Sequence, residues 1–162
     1  MITTGYGDKG QTDIKGTRVR KDDIVIETLG SLDEAAAAIS LAYAFEVYEE
    51  EICLFDVIYN IYEISAIVAG YEHEGLSYKF RDLTQLENFI ESVPYMDRFT
   101  IGYKNLLGAK YNWARVMVRK AERQVVKLFN ETDINILDET KEDIVRYLNR
   151  VSDFLFALAE TR

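Results

Sequence analysis

The sequence predicts an all-α protein: a five-helix up-and-down bundle with an irregular N-terminal arm. Three observations lead there. The chain of 162 residues holds one proline, Pro94, so long stretches carry no helix breaker. Apolar residues recur at three- and four-residue spacing through most of residues 31–160. Hydrophobic residues make up 48%, with eleven Tyr and eight Phe, which is enough to build a core without staples.

The elements follow in order. Residues 1–27 read as an arm punctuated by Gly5, Gly7, Gly10 and Gly16, with a short extended piece over 19–26. Ser31-Leu32-Asp33-Glu34 has the pattern of a capping box, which predicts a helix starting at Ser31 and running through an alanine-rich stretch to about residue 48. A second helix is expected over 51–71, where Phe55, Ile58, Tyr62 and Ser65 or Ala66 share a face. A shorter one spans 83–93 and stops at Pro94. Two long helices, 104–129 and 137–160, complete the set. Short connections between long helices imply antiparallel neighbours. The expectation is one domain over 1–162, with the arm at 1–27 and the bundle at 31–160.

Composition narrows the function. The single cysteine, Cys53, lies in an apolar run and reads as a buried, inert thiol. No zinc-type Cys/His spacing, signal peptide or apolar run of 18 residues is present, so a soluble cytoplasmic protein is expected, with no membrane partner. The net charge of −9 argues against a nucleic-acid partner, which would need a broad cationic surface. The charge is uneven, however. Residues 1–21 carry Lys9, Lys15, Arg18, Arg20 and Lys21 against Asp8 and Asp13, a balance of +3 that leaves −12 on the rest. A small basic segment on an acidic body suits a compact polyanion.

Three clusters are candidates for chemistry. Gly5-Tyr6-Gly7-Asp8-Lys9-Gly10 has the G-x-G-x-x-G spacing, but no strand precedes it and no βαβ unit follows, so it is not a dinucleotide fingerprint. It reads equally as a flexible tail or as a loop whose backbone N–H groups approach phosphate. Arg115, Arg119, Lys120, Glu122 and Arg123 put two or three guanidiniums on one helical stripe, which suits a triphosphate; the alternative is a solvated face with Glu122 paired to Arg119. Asn149 and Asp153 stand one turn apart among apolar neighbours, either as part of a site or as a structural polar network.

These clusters, in this order, resemble the cobalamin adenosyltransferases of the propanediol-utilisation type, whose bundle is ferritin-like. The resemblance covers nearly the whole chain. It rests on Thr4-Gly5-Tyr6-Gly7-Asp8-Lys9-Gly10, Val19-Arg20-Lys21-Asp22-Asp23, Gly30-Ser31-Leu32-Asp33-Glu34, Arg119-Lys120-Ala121-Glu122-Arg123 and Leu148-Asn149-Arg150-Val151-Ser152-Asp153-Phe154-Leu155-Phe156.

The resemblance implies an ATP:cob(I)alamin adenosyltransferase that assembles as a homotrimer with sites between subunits. Thr4, Gly5, Tyr6, Gly7, Asp8, Lys9, Thr12, Asp13 and Lys21 would wrap ATP. Arg119, Glu122, Arg123 and Asn149 would complete the pocket, with Mg²⁺ on the phosphates and no metal ligand from protein side chains alone. Asp33 would pair with Arg115 across a subunit boundary, Asp153 would serve the corrinoid side, and Phe99 would press on the corrin. The family's reaction is attack of reduced cobalt on C5′ of ATP with loss of triphosphate. It needs orientation and charge stabilisation, and no side-chain nucleophile. A flavin-dependent reductase and an adenosylcobalamin-dependent enzyme are the protein partners that this chemistry implies. A non-catalytic module that binds and delivers adenosylcobalamin or ATP is the alternative. The chain departs from the family pattern at Tyr6, where Thr is common, at Asn112, at Lys120 and over residues 100–104.

Overall fold

The computed structural model describes residues 5–45, 54–71, 76–94 and 102–161. Thr4, Cys53, His73 and Phe99 lie outside these residues. Among the described residues the chain forms two short strands, β1 (Gln11–Ile14) and β2 (Thr17–Arg20), and five α-helices. The helices are α1 (Ile24–Tyr43), α2 (Leu54–Val68), α3 (Thr84–Ser92), α4 (Leu106–Glu131) and α5 (Asp138–Glu160). A single 3₁₀ turn, Lys79–Arg81, leads into α3. The helices pack as an all-α bundle. α1 lies between α2 and α4, α4 lies between α1 and α5, and α5 carries α3 on its far side. No helix among the described residues is long and apolar enough to cross a membrane.

The arm is more regular than its glycines suggest. β1 and β2 pair antiparallel, with Thr12 opposite Val19 and Asp13 opposite Arg18. The two-residue turn between them is Lys15-Gly16, both at positive φ (47° and 77°), the hand that matches strand twist. Lys15 therefore occupies the left-handed region without being glycine. Its ammonium donates to the carbonyl of Gly70 at the C-terminal end of α2, where the helix dipole favours a cation.

The first helix begins about two turns before Ser31. Asp23, with extended φ/ψ, is the N-cap, and its carboxylate accepts from the Val25 N–H at 2.8 Å. Ser31 is then a buried residue inside the helix, and Glu34 reaches across to pair with Lys120 of α4. The capping-box pattern was matched by chance. An Asx cap upstream lets Ile24, Val25 and Leu29 pack against the core as well.

α2 forms where expected but presents a different face. Leu54, Val57, Ile58, Ile61, Ile64 and Ile67 are buried, whereas Phe55 and Tyr62 are about half exposed, at 56% and 50%. Aliphatic residues, Ile58 of the expected stripe among them, took the core, and the aromatics of that stripe face outward. α3 ends as the proline demands: Val93 is extended, the conformation a residue before proline prefers.

The seam that organises the bundle is on α4. Tyr111, Ala114, Val118, Ala121, Val125 and Leu128 are all fully buried and recur at alternating three- and four-residue steps. Alanines on α1 (Ala35, Ala36, Ala38, Ala42) face this region and allow close approach. On α5, Ile144, Tyr147, Leu148, Val151, Phe154, Leu155 and Leu158 complete the core. Its buried polar groups are satisfied: Asn60 of α2 donates to the Tyr147 hydroxyl at 3.0 Å.

The cap of α1 can be tested directly. Asp23→Ala removes the side-chain acceptor and should destabilise the protein by about 1 kcal/mol, read as a lower urea midpoint. An unchanged midpoint would mean that Asp23 does not stabilise the helix start.

Candidate functional site

The structure divides the sequence-predicted site residues into three groups. The first is the arm. No residue from 5 to 21 is buried. The loop closes on itself through Asp8 N–H to Gly5 O (3.3 Å), Gly10 N–H to Gly7 O (3.2 Å) and Lys21 N–H to Gly10 O (2.9 Å). Lys21 folds beneath Gly7: a Cβ added there would lie 3.1 Å from the Lys21 ammonium. A side chain at this position would crowd the Lys21 ammonium, which would have to give by a few tenths of an ångström. Arg18 holds the other edge, reaching Asp13 at 3.3 Å, donating to the Tyr6 carbonyl and sitting 4.6 Å from the Tyr6 ring centroid. Thr12 lies on β1, half-buried.

The second group gathers on facing stretches of α4 and α5. Glu122 of α4, flanked on the same helix by Arg119 and Arg123, faces Asn149 and Asp153 of α5. Glu122 and Asn149 line one open groove of about 790 Å³ that continues past Val126, Phe129 and Val145. Partial burial raises the Glu122 carboxyl above the ordinary range. The Arg119 guanidinium opposes that rise, the Asp153 carboxylate adds to it, and Arg123 opposes it more weakly. Glu122 therefore feels all three of the other charged groups.

Their partners differ sharply. Lys120, on the same helix, is committed to Glu34 of α1. Arg119 and Arg123 are exposed and make no hydrogen bond or ion pair among the described residues. Of the solvated-face alternative, the exposed arginines are present but the Glu122–Arg119 pair is not: the two interact through space, without a contact pair.

The third group sits one to two turns towards the N-terminus of α4. Arg115 accepts its alignment from Asn112, donating Nε–H to Oδ1 at 3.0 Å. Beside it, the Tyr103 hydroxyl donates to Glu160 near the end of α5 at 2.5 Å. Burial and the Glu160 carboxylate push the Tyr103 hydroxyl up, partly offset by Arg115. Asp33 is exposed on α1, and no ion pair joins it to Arg115 within the chain.

Two features escaped sequence reasoning. Glu87 of α3 pairs with Arg150 of α5 at 3.1 Å, and Arg150 also reaches Asp153 at 3.2 Å. Tyr103 and Glu160 are 57 residues apart and meet only because α4 and α5 are antiparallel. The Arg150–Asp153 spacing is visible as i, i+3 on a helix; the contribution from α3 is not.

Comparison with known proteins settles the family. A model described as cobalamin adenosyltransferase matches residues 2–162. The chain belongs to this family. A corrinoid adenosyltransferase of Bacillus subtilis (strain 168) is 30% identical over 98% of this chain and 84% of its own length. The corrinoid adenosyltransferase PduO of Salmonella typhimurium is 32% identical over 98% of this chain, which spans 48% of that protein. Among solved structures, a variant of a PduO-type ATP:co(I)rrinoid adenosyltransferase from Lactobacillus reuteri, complexed with ATP, superimposes with a TM-score of 0.77 at 25% identity. The match covers 99% of this chain and 93% of that one. The adenosyltransferase fold thus accounts for both the bundle and the arm.

The electrostatics of Glu122 predict a pH effect with a defined sign. Its folded-state carboxyl is raised, so the favourable neutral form is fully present below the ordinary glutamate range and is lost as pH rises through the raised value. Glu122→Gln should therefore melt above the parent protein at neutral pH, with the difference vanishing towards pH 4. A difference that grows on acidification would contradict this burial effect.

Proposed function

We propose that this chain is an ATP:corrinoid adenosyltransferase, using MgATP to place a 5′-deoxyadenosyl group on reduced cobalt. The observation that carries the reading is the pair of uncommitted guanidiniums, Arg119 and Arg123, that flank Glu122 on α4, where Glu122 lines a groove with Asn149 of α5. In the same family, relatives bear the name corrinoid adenosyltransferase, and a structural neighbour was solved with ATP.

The arm and the helical cluster act together in this reading. The +3 arm, with Gly5, Tyr6, Gly7, Asp8, Lys9, Thr12, Asp13 and Lys21, covers one side of the nucleotide. Arg119, Arg123, Glu122 and Asn149 take the other. Because no residue of 5–21 is buried in the single chain, the arm has surface available for a neighbouring subunit. A homotrimer with sites between subunits follows from that reading, with Asp33 of one chain against Arg115 of the next. The reading places the reaction in the cytoplasm.

The chemistry asks little of the protein beyond position and charge. A cobalt–carbon bond forms with the electron pair of reduced cobalt as the C5′–O bond of ATP breaks, and the leaving pair stays on triphosphate. Lys9, Lys21, Arg119 and Arg123 stabilise the charge that grows there, assisted by the Mg²⁺ that enters with ATP. Glu122 and Asn149 orient the nucleoside so that C5′ faces cobalt. Asp153, one turn beyond Asn149, lies towards the corrinoid.

Incubating the protein with MgATP and chemically reduced cobalamin, while following the spectrum of the cobalt–carbon product, tests the reading. Catalytic turnover is expected; stoichiometric binding without turnover would leave a delivery module instead. Arg119→Ala should raise KM for ATP roughly tenfold or more, the worth of one charge-assisted hydrogen bond. Unchanged ATP kinetics in that variant would remove Arg119 from the site.

A further inference from the structure

Arg150 is held at two points by two elements. Its Nε–H donates to Glu87 Oε1 of α3 at 3.1 Å, and its NH1 donates to Asp153 Oδ2 of α5 at 3.2 Å. All three side chains are partly exposed, at 30%, 45% and 43%. The backbone frame beneath them is firm. Phe89 of α3 stacks edge-on against the fully buried Phe154, with centroids 5.1 Å apart, and Leu86 of α3 is buried one residue before Glu87. α3 is thus fixed on α5 at the turn where Arg150 and Asp153 stand.

We propose that Arg150 is a positioning residue: bridging Glu87 and Asp153, it ties α3 to the reacting cluster and sets the orientation and charge balance of Asp153. The proposal rests on the assignment of Asp153 to the corrinoid side. The planar fork of arginine suits the task, because it serves two carboxylates from fixed directions.

The charges around the bridge give it a function beyond docking. From α4, Glu122 feels Asp153, with Arg119 and Arg123 beside it on the same helix; from α3 comes Glu87; on α5 itself stands Arg150. Without Arg150, neither Glu87 nor Asp153 would keep an ion-pair partner among the described residues. Asp153 already opposes ionisation of Glu122. Arg150 supplies the contact cation of Asp153, and Arg119 and Arg123 make no ion pair with it. Glu87 in turn prevents Arg150 from collapsing wholly onto Asp153.

The test is a set of variants in the full chain: Glu87→Gln, Arg150→Gln, Arg150→Lys, Asp153→Asn and the Glu87→Gln/Arg150→Gln double. Glu87→Gln should lower kcat about threefold, the scale of one partly exposed ion pair. Arg150→Gln should lower it roughly tenfold, with KM for MgATP within about twofold. Arg150→Lys keeps the charge but not the fork and should resemble Arg150→Gln. The deciding measurement is additivity. If Glu87 acts through Arg150, its substitution has no further effect once Arg150 is gone; independent, multiplying losses would overturn the proposal.

A second readout needs no turnover. The Arg150 Nε–H proton resonance should be slow to exchange in the parent protein and fast in Glu87→Gln. Equal exchange rates in the two would sink the bridge. Unaltered kinetics in Asp153→Asn would instead remove Asp153 from the reaction, a failure of the underlying assignment that leaves the exchange result to be read on its own.

Discussion

The buried face of α4 is the constraint on which the rest depends. Tyr111, Ala114, Val118, Ala121, Val125 and Leu128 run down one side of the helix and meet both α1 and α5. Large-to-small substitution along such a seam costs about 2–5 kcal/mol, a sizeable share of the stability of a domain this size. Its rotation is therefore not negotiable. Once Val118, Ala121 and Val125 are turned inward, Glu122 must emerge on the flank beside α5, with Arg119 and Arg123 further out on the exposed side. The same logic on α5 turns Leu148, Val151, Phe154 and Leu155 inward and leaves Asn149 and Asp153 on the facing flank. The polar cluster is a consequence of two apolar faces being satisfied together.

The arm obeys a different physics. It has few apolar residues to bury, and its order comes from a hairpin, a turn at positive φ and the anchor of Lys15 on the end of α2. An ordered segment with no buried residue gains little from its own chain. It presents glycine-loosened backbone and lysines to solvent, and such a surface gains its stabilisation from something that binds. Helical cluster and hairpin, the two half-sites of the proposed function, are thus built by separate means, one by core packing and one by local hydrogen bonding.

Much of this was legible in the sequence, and the failures are instructive. Helix positions followed from apolar periodicity, and the stop at Pro94 followed from proline sterics. The stripe of arginines could be read because spacing on a helix translates directly into a shared face. The start of α1 was misplaced because Ser31 and Glu34 satisfy a local pattern, while Asp23 and the core contacts of Ile24, Val25 and Leu29 supply a stronger one. On α2, periodicity selected Phe55 and Tyr62, yet shape-matched aliphatic residues on another face filled the core. The Lys15-Gly16 turn was missed because lysine is an unusual residue at positive φ. The Glu87–Arg150 bridge was out of reach for a different reason. Sequence spacing describes one helix, whereas this bridge depends on how α3 is seated against another.

The division of labour among the cations of α4 follows from magnitudes. An exposed ion pair contributes about 0–1 kcal/mol to folding, so leaving an arginine without one costs the fold very little. A charge-assisted hydrogen bond to a phosphate oxygen contributes about 1.5–3 kcal/mol to binding when the site excludes water. Lys120, a point charge without a planar fork, is the residue committed to Glu34; Arg119 and Arg123, which can each present two parallel donors, are the ones held in reserve. Exchanging those roles would waste forked donors on a surface contact and leave a flexible ammonium to meet the polyphosphate. In the proposed reading, this arrangement gives up almost no stability and keeps the stronger ligands for the charge that develops during transfer.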